Sequence, residues 1–139
     1  KTGSFNNMDV LVSQLQQDKD VVLLGRVADT ELIKFYSNAM AFVFPSFYEG
    51  FGIPVLEAQA CGCPVISSDS SALPEVLGDS AILCNSNKEN DFAKAIIKIA
   101  QDKIMSEYLV RRGYENVKRF SWGRSAEYIR DIIKSYDEY

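Results

Sequence analysis

The chain has 139 residues, of which 47% are hydrophobic, and this length and composition fit one domain with a packed core rather than a disordered segment. Its 15 basic and 19 acidic residues give a net charge of −4, which argues against a general nucleic-acid binder, because such binding depends on neutralising phosphates. The sequence has no run of about 18 apolar residues and no signal-peptide pattern, so it predicts neither a membrane span nor an export signal within this chain.

Helical and strand patterns alternate along the chain after a polar, turn-forming start at residues 1–7. Apolar residues at helical spacing predict a first helix from Met8 to about Gln17 and a second helix capped by Asp29 or Thr30. Short runs rich in β-branched and other apolar residues predict four strands that are buried on both faces. These strands are Val21–Leu24, Ala41–Phe44, Pro64–Ser67 and Ala81–Cys84.

The second half of the chain is predicted to be mainly helical. A serine-rich loop enters a short helix at Pro74, and Phe92, Ile96 and Ile99 form an apolar stripe on a longer helix. Ser121 is the predicted N-cap of the last helix. That helix places five apolar residues on one face: Trp122, Ala126, Ile129, Ile133 and Tyr136.

This alternation predicts an α/β fold, with a Rossmann-like, doubly wound parallel sheet of about four strands, helices on both faces and C-terminal helices. In such folds ligands bind beyond the carboxyl ends of the strands. Three loops at these ends are expected to open toward one crevice. They are Gly25-Arg26-Val27, Phe44–Gly52 and Ser67–Pro74.

The chain lacks histidine, the commonest general base and a frequent metal ligand, so any chemistry confined to it must use other groups. Cys61 and Cys63 form a Cys-Gly-Cys sequence, which is neither a zinc-site nor a thioredoxin spacing. We interpret these two cysteines and Cys84 as reduced core thiols and expect no metal site.

The stretch from Phe44 to Pro64, FPSFYEGFGIPVLEAQACGCP, carries the strongest functional signal. A strand end, a glycine loop and a helix with Pro54 in its first turn predict an anion site, because unpaired N–H groups and the positive helix end face one space. Glu57 falls within the helix's apolar arc, formed by Ile53, Leu56, Ala60 and Cys61. It needs either a salt bridge, to Arg26 or Arg119, or a ligand.

Two glutamates, Glu49 and Glu57, flank the segment GFGIPVL, and ACGCPVI and LPEV follow. Together these motifs resemble the retaining glycosyltransferases of family 4. The resemblance runs from about Asp20 to the terminal SWGRSAEYIRDIIKSY and corresponds to the donor-binding C-terminal domain of a two-domain GT-B enzyme. Such enzymes transfer a sugar from a nucleotide-diphosphate sugar to a saccharide or lipid-linked acceptor.

The resemblance also implies roles for particular residues. Glu49 would bind a donor-sugar hydroxyl as the catalytic residue, and Glu57 would hold the ribose hydroxyls of the nucleotide. The backbone around Arg26 and Val27 would contact the base. The sugar and diphosphate would be held by the backbone amides of Gly50, Phe51, Gly52 and Ile53. Ser46 is interpreted as a turn residue and Glu75, at the family's Pro-Glu position, as a structural residue.

The implied reaction retains the anomeric configuration, with the leaving diphosphate assisting the incoming hydroxyl. This type of enzyme usually needs no metal or other cofactor, and positioning and electrostatics should dominate its catalysis. The resemblance implies an enzyme of polysaccharide biosynthesis located in the cytoplasm, with a peripheral position at the inner membrane face as an alternative.

The chain departs from the family pattern at its start. Two strand–helix units, with an arginine and a lysine that clamp the diphosphate, and the acceptor-binding domain would precede it. We therefore expect residues 1–139 to be a single partial domain that binds donor weakly and lacks transferase activity alone. If it folds alone, either its four strands pair in a new order or two copies associate through open sheet edges.

Other interpretations also fit the sequence. A non-catalytic nucleotide- or sugar-binding module would use the same two glutamates. A dehydrogenase has less support, because GFGIPV lacks the GxGxxG spacing of a dinucleotide site. A purely structural or interaction module gives no reason for Glu57 in an apolar arc.

Overall fold

The computed structural model describes the backbone of residues 3–137 and the side chains of residues 9–136. The chain forms two compact units, Lys1–Leu32 and Ile33–Tyr139. The first unit contains helix α1, Gly3–Gln17, which begins five residues before the predicted start at Met8. No proline interrupts residues 3–7, so the helix extends through the segment expected to be a turn.

The predicted strand Val21–Leu24 is wrong. This segment joins no β-ladder in the described part of the chain, and its first N–H donates to the carbonyl of Asp18 at 3.1 Å in a turn. Val22 is 75% exposed. A strand buried on both faces needs a hydrogen-bonding neighbour and two covering layers, and none of residues 3–137 pairs with this segment as a neighbouring strand.

The second unit is organised around a parallel sheet of three strands. These are β1, Phe42–Phe44, β2, Val65–Ser68, and β3, Ile82–Cys84, in the order β1-β2-β3. Both strand pairs are parallel, with Val43 opposite Ile66 and Ser67 opposite Leu83. The predicted α/β class is therefore confirmed, with three described strands instead of four.

Helices flank this sheet, and all of the predicted helices are present. Proline lies in the first turn of both α3 and α4, where a missing N–H costs little, and the Asp102 side chain caps α6 by accepting the Met105 N–H at 2.9 Å. The helices after α1 are α2, Asp29–Asn38; α3, Ile53–Ala60; α4, Leu73–Leu77; α5, Glu89–Gln101; α6, Lys103–Val117; and α7, Trp122–Asp137.

The core lies between the sheet and α5 and α6. Ile66, on the central strand, packs in a buried cluster with Cys84, Phe92, Ile99 and Leu109, so the predicted stripe on α5 is confirmed. By contrast, the predicted apolar face of α7 is exposed. Ser121 directly precedes that helix, and its carbonyl accepts the Ser125 N–H at 3.0 Å.

A buried polar network joins α3 to α6. The Gln59 amide donates to Ser80 Oγ at 2.7 Å, and the Asn116 amide donates to Gln59 Oε1 at 2.8 Å. Arg119 Nη1 then donates to Asn116 Oδ1 at 2.7 Å. Gly113 allows α6 to lie close to Gln59 of α3, since a Cβ at position 113 would lie 3.2 Å from Gln59 Cγ. The network fixes the helix on which the candidate site is built.

Candidate functional site

The candidate site is the loop that leaves β1 and enters α3. Gly52 is the N-cap of α3 with φ of 91°, and no side chain caps the helix there. A Cβ on Gly52 would lie 2.7 Å from Cδ2 of Leu73, which is fully buried. Only glycine fits this position, because both the left-handed backbone and the approach of α4 exclude a side chain. The first turn of α3 therefore presents its N–H groups without a capping side chain.

Serine hydroxyls hold the half-buried Glu49 at the tip of this loop. Ser46 Oγ donates to Glu49 Oε1 at 2.9 Å, and Ser68 Oγ donates to the carbonyl of Ser46. Ser71 Oγ donates to the Glu49 carbonyl at 2.6 Å and accepts the Glu49 N–H at 3.3 Å. We refer to Ser46, Ser68 and Ser71 as the serine cluster. Sequence reasoning identified the serine-rich loop but not its contact with Glu49.

The predicted orientation of α3 is wrong. The helix buries Val55, Ala58 and Gln59, whereas Glu57 is exposed on the same outward side as Ile53. The apolar periodicity gave the wrong side because the helix buries a polar residue, Gln59, whose amide is satisfied by the buried network described above. The outward side is thus the one that the sequence assigned to the core.

Glu57 makes no salt bridge with Arg119, one of the two partners considered from sequence, in the described part of the chain. A salt bridge to Arg26, which lies in the first unit, stays a prediction. Burial raises the pKa of the Tyr36 phenol, and the negative charge of Glu57 raises it further. Glu57 itself is exposed, so its carboxylate is accessible to a ligand.

A groove of about 420 Å³ runs beside Glu57. It lies between the outward side of α3 and the start of α7, and its walls are mainly apolar, with Phe51, Phe120 and Trp122 among them and with Arg119 and Arg124 as basic members. The Phe51 and Phe120 rings meet edge to face with centroids 5.4 Å apart, and Arg119 Cζ lies 5.1 Å from the Phe120 centroid.

Six of the eight predicted site residues lie on one continuous segment of the second unit, from Glu49 to Glu57. Arg26, which is exposed, and Val27, which is half-buried, lie in the first unit, in the loop before α2. Their contact with a base stays a prediction. Glu75 lies in the first turn of α4, and its carbonyl accepts from Arg119 Nη2 at 3.4 Å.

The cysteine prediction is confirmed in part. All three cysteines are free thiols, with Cys63 and Cys84 buried and Cys61 partly exposed. Burial raises the pKa of Cys63 to about 11, so this thiol stays protonated near neutral pH. None of the described helices is long and apolar enough to cross a membrane.

Residues 2–116 match the family described as glycosyl transferases group 1. The chain belongs to this family. It is 43% identical over 99 residues to O-antigen chain mannosyltransferase B of Escherichia coli, covering 71% of this chain and 26% of that protein. It is 38% identical over 123 residues to O-antigen chain mannosyltransferase RfbU of Salmonella typhimurium, covering 86% of this chain and 35% of that protein. The chain thus spans about a quarter to a third of these relatives.

Solved structures confirm the Rossmann-like fold of a GT-B C-terminal domain. Sucrose-phosphate synthase from Thermosynechococcus elongatus superposes with a TM-score of 0.82 and 29% identity, over 96% of this chain and 34% of that chain. Anabaena Alr3699/HepE, determined in complex with UDP, gives a TM-score of 0.82 over 97% of this chain and 38% of that chain, at 19% identity. The second match shows the fold alone.

Proposed function

We propose that this chain is the donor-binding half of a retaining glycosyltransferase of family 4. The full-length enzyme would transfer a sugar from a nucleotide-diphosphate sugar to a saccharide or lipid-linked acceptor in the cytoplasm or at the inner membrane face. The observation that carries this proposal is the single segment that presents Glu49, an uncapped helix N-terminus and the exposed Glu57 in succession. Membership of the glycosyltransferase family and the two O-antigen mannosyltransferase relatives support a hexosyl donor.

The chemistry of the segment suits the parts of such a donor. The uncapped N–H groups and positive end of α3 suit a diphosphate, whose charge they offset without a metal. The carboxylate of Glu57 can accept two hydrogen bonds from a ribose diol. Ser46 holds Oε1 of Glu49, which leaves Oε2 as the oxygen that would accept a sugar hydroxyl.

Catalysis would then depend on position and charge. Without histidine, the chain would not supply the usual side-chain base, and the departing diphosphate would assist the incoming hydroxyl. The protein's contribution would be to orient the sugar through Glu49 and to stabilise the developing negative charge through the α3 amides. Neither step needs a metal or another cofactor.

Calorimetric titration of the full-length protein with GDP-mannose, UDP-glucose, ADP-glucose and the corresponding nucleoside diphosphates tests the proposal. We expect Glu57→Gln to weaken the nucleotide and the nucleotide sugar alike, and Glu49→Gln to weaken only the nucleotide sugar. Each loss should be about 10-fold to 100-fold, as for one hydrogen bond to a charged group. Glu107→Gln, on the exposed surface of α6, is the matched control.

The outcome would contradict the proposal if no member of the panel binds or if both site variants behave like the control. Transfer is measured separately, with the same variants and a saccharide acceptor. Donor binding without transfer by the full-length protein would instead support the non-catalytic binding module.

A further inference from the structure

Ser71 has an unusual backbone conformation. It is the one non-glycine residue with positive φ in the described part of the chain, at 59°. This left-handed region disfavours residues with a Cβ, and glycine, asparagine and aspartate are the usual occupants. A serine persists there only when surrounding contacts hold it, and such outliers concentrate at functional sites.

In the described part of the chain, the side-chain hydrogen bonds of Ser71 go to a single residue. Its hydroxyl donates to the Glu49 carbonyl at 2.6 Å and accepts the Glu49 N–H at 3.3 Å, across a separation of 22 residues in sequence. One hydroxyl therefore engages both main-chain polar groups of Glu49. The carboxylate of the same residue is held separately by Ser46 at 2.9 Å.

We propose that Ser71 is a positioning residue that orients Glu49 toward the sugar of a nucleotide-sugar donor. This inference rests on the proposed function, in which Glu49 binds a sugar hydroxyl. With Oε1 engaged by Ser46, the direction of Oε2 depends on the main chain of Glu49, and Ser71 fixes that main chain at two atoms. Fixing an acceptor before the ligand arrives reduces the ordering cost of binding.

A purely structural role predicts a different result. If the Ser71 contacts only stabilise the loop, their loss lowers the unfolding temperature or weakens all ligands equally. If they orient Glu49, their loss weakens the nucleotide sugar and leaves the nucleoside diphosphate unchanged, because the diphosphate binds at the α3 amides. The ratio of the two affinities therefore separates the two roles.

The experiment compares three variants of the full-length protein in titrations with GDP-mannose against GDP, UDP-glucose against UDP and ADP-glucose against ADP. Ser71→Ala removes the hydroxyl and keeps the Cβ, whereas Ser71→Gly removes the hydroxyl and fits the positive φ. Ser70→Ala is the control, since Ser70 Oγ bonds to Ser86 Oγ at 3.0 Å. We expect both Ser71 variants to lose about 10-fold in affinity for the nucleotide sugar only, as for one hydrogen bond.

Several results would overturn the inference. One is an unchanged ratio of nucleotide-sugar to nucleoside-diphosphate affinity in both Ser71 variants, including the case in which both affinities fall equally. Another is wild-type affinity in Ser71→Gly, which would assign any loss in Ser71→Ala to backbone conformation rather than to the hydroxyl. If Glu49→Gln changes the ratio and the Ser71 variants do not, this inference fails alone. If Glu49→Gln also leaves the ratio unchanged, the proposed function fails with it.

Hydrogen exchange provides a readout that does not depend on a ligand. The Glu49 N–H donates to Ser71 Oγ, so Ser71→Ala should speed the exchange of that amide by about 10-fold, while Ser70→Ala leaves it unchanged. An unchanged exchange rate in Ser71→Ala would overturn the inference whatever the ligand titrations give.

Discussion

Replacing Gly52 by alanine tests whether the close packing of α4 against the loop excludes a side chain at position 52. A non-glycine residue in the left-handed region costs about 1–2 kcal/mol. The new Cβ would also lie 2.7 Å from Leu73 Cδ2, and Leu73 is fully buried and cannot move aside freely. Overpacking of this kind costs about 1–3 kcal/mol, so Gly52→Ala should lower the free energy of unfolding by about 2–5 kcal/mol.

Urea unfolding followed by far-ultraviolet circular dichroism measures this loss. At a typical dependence of unfolding free energy on urea, the midpoint should fall by about 1–2 M. Gly50→Ala is the matched control in the same loop, because the φ of Gly50 is not positive and a Cβ added there would have no neighbouring atom within 4 Å. That substitution should change the free energy of unfolding by less than about 0.5 kcal/mol.

A second substitution separates the two causes. Leu73→Val shortens the side chain that meets the new Cβ, so it should cost less in the Gly52→Ala background than in the wild type, and the difference measures the steric part. If Gly52→Ala is as stable as Gly50→Ala, the close approach of α4 to the loop does not constrain this position, and the reasoning is wrong.

Three further predictions follow from the same structure. Asn116→Ala should lower the unfolding free energy by about 2 kcal/mol or more, because it leaves buried Gln59 without its donor, whereas the exposed Asn90→Ala should be neutral in the same urea assay. Arg112 lowers the pKa of Asp79 by donating to its carboxylate. The resulting stabilisation of the folded state is present above the ordinary pKa of 3.8 and is lost as the pH falls through the lowered pKa. A urea midpoint that declines equally with acid in the wild type and in Asp79→Asn would contradict this prediction. Strand β1 has a partner on one side only among the described residues, so light scattering after size exclusion should detect concentration-dependent association, and a monomer at every concentration would contradict this.

The strands that the sequence predicted correctly are those whose neighbours the structure describes. The runs around Val43, Ile66 and Leu83 pair with each other, so local pattern and tertiary context agree. The run Val21–Leu24 has the same local character but no described strand beside it. A short apolar run indicates only that burial of the segment is favourable, and the presence of hydrogen-bonding neighbours determines whether it forms a strand.

The sequence predicted the order of loop, glycine turn and helix in the candidate site, but not the residues of other elements that hold this segment in place. The turn from Glu49 through Gly52 into α3 follows from glycine and proline placement alone. The inward side of α3 was not predictable, because Gln59 is buried through partners on other elements. Ser71 was hidden for the same reason, since its contact with Glu49 spans two loops.

The serine cluster around Glu49 has a consequence for how the loop responds to solution conditions. All three side chains that hold the loop are neutral hydroxyls, which neither titrate near neutral pH nor lose strength by ionic screening. If an arginine or lysine held Glu49 instead, the orientation of Glu49 would depend on salt concentration. The orientation of this carboxylate should therefore not depend on salt concentration, and any salt sensitivity of donor affinity would come from the charges of the ligand and of the groups that bind it.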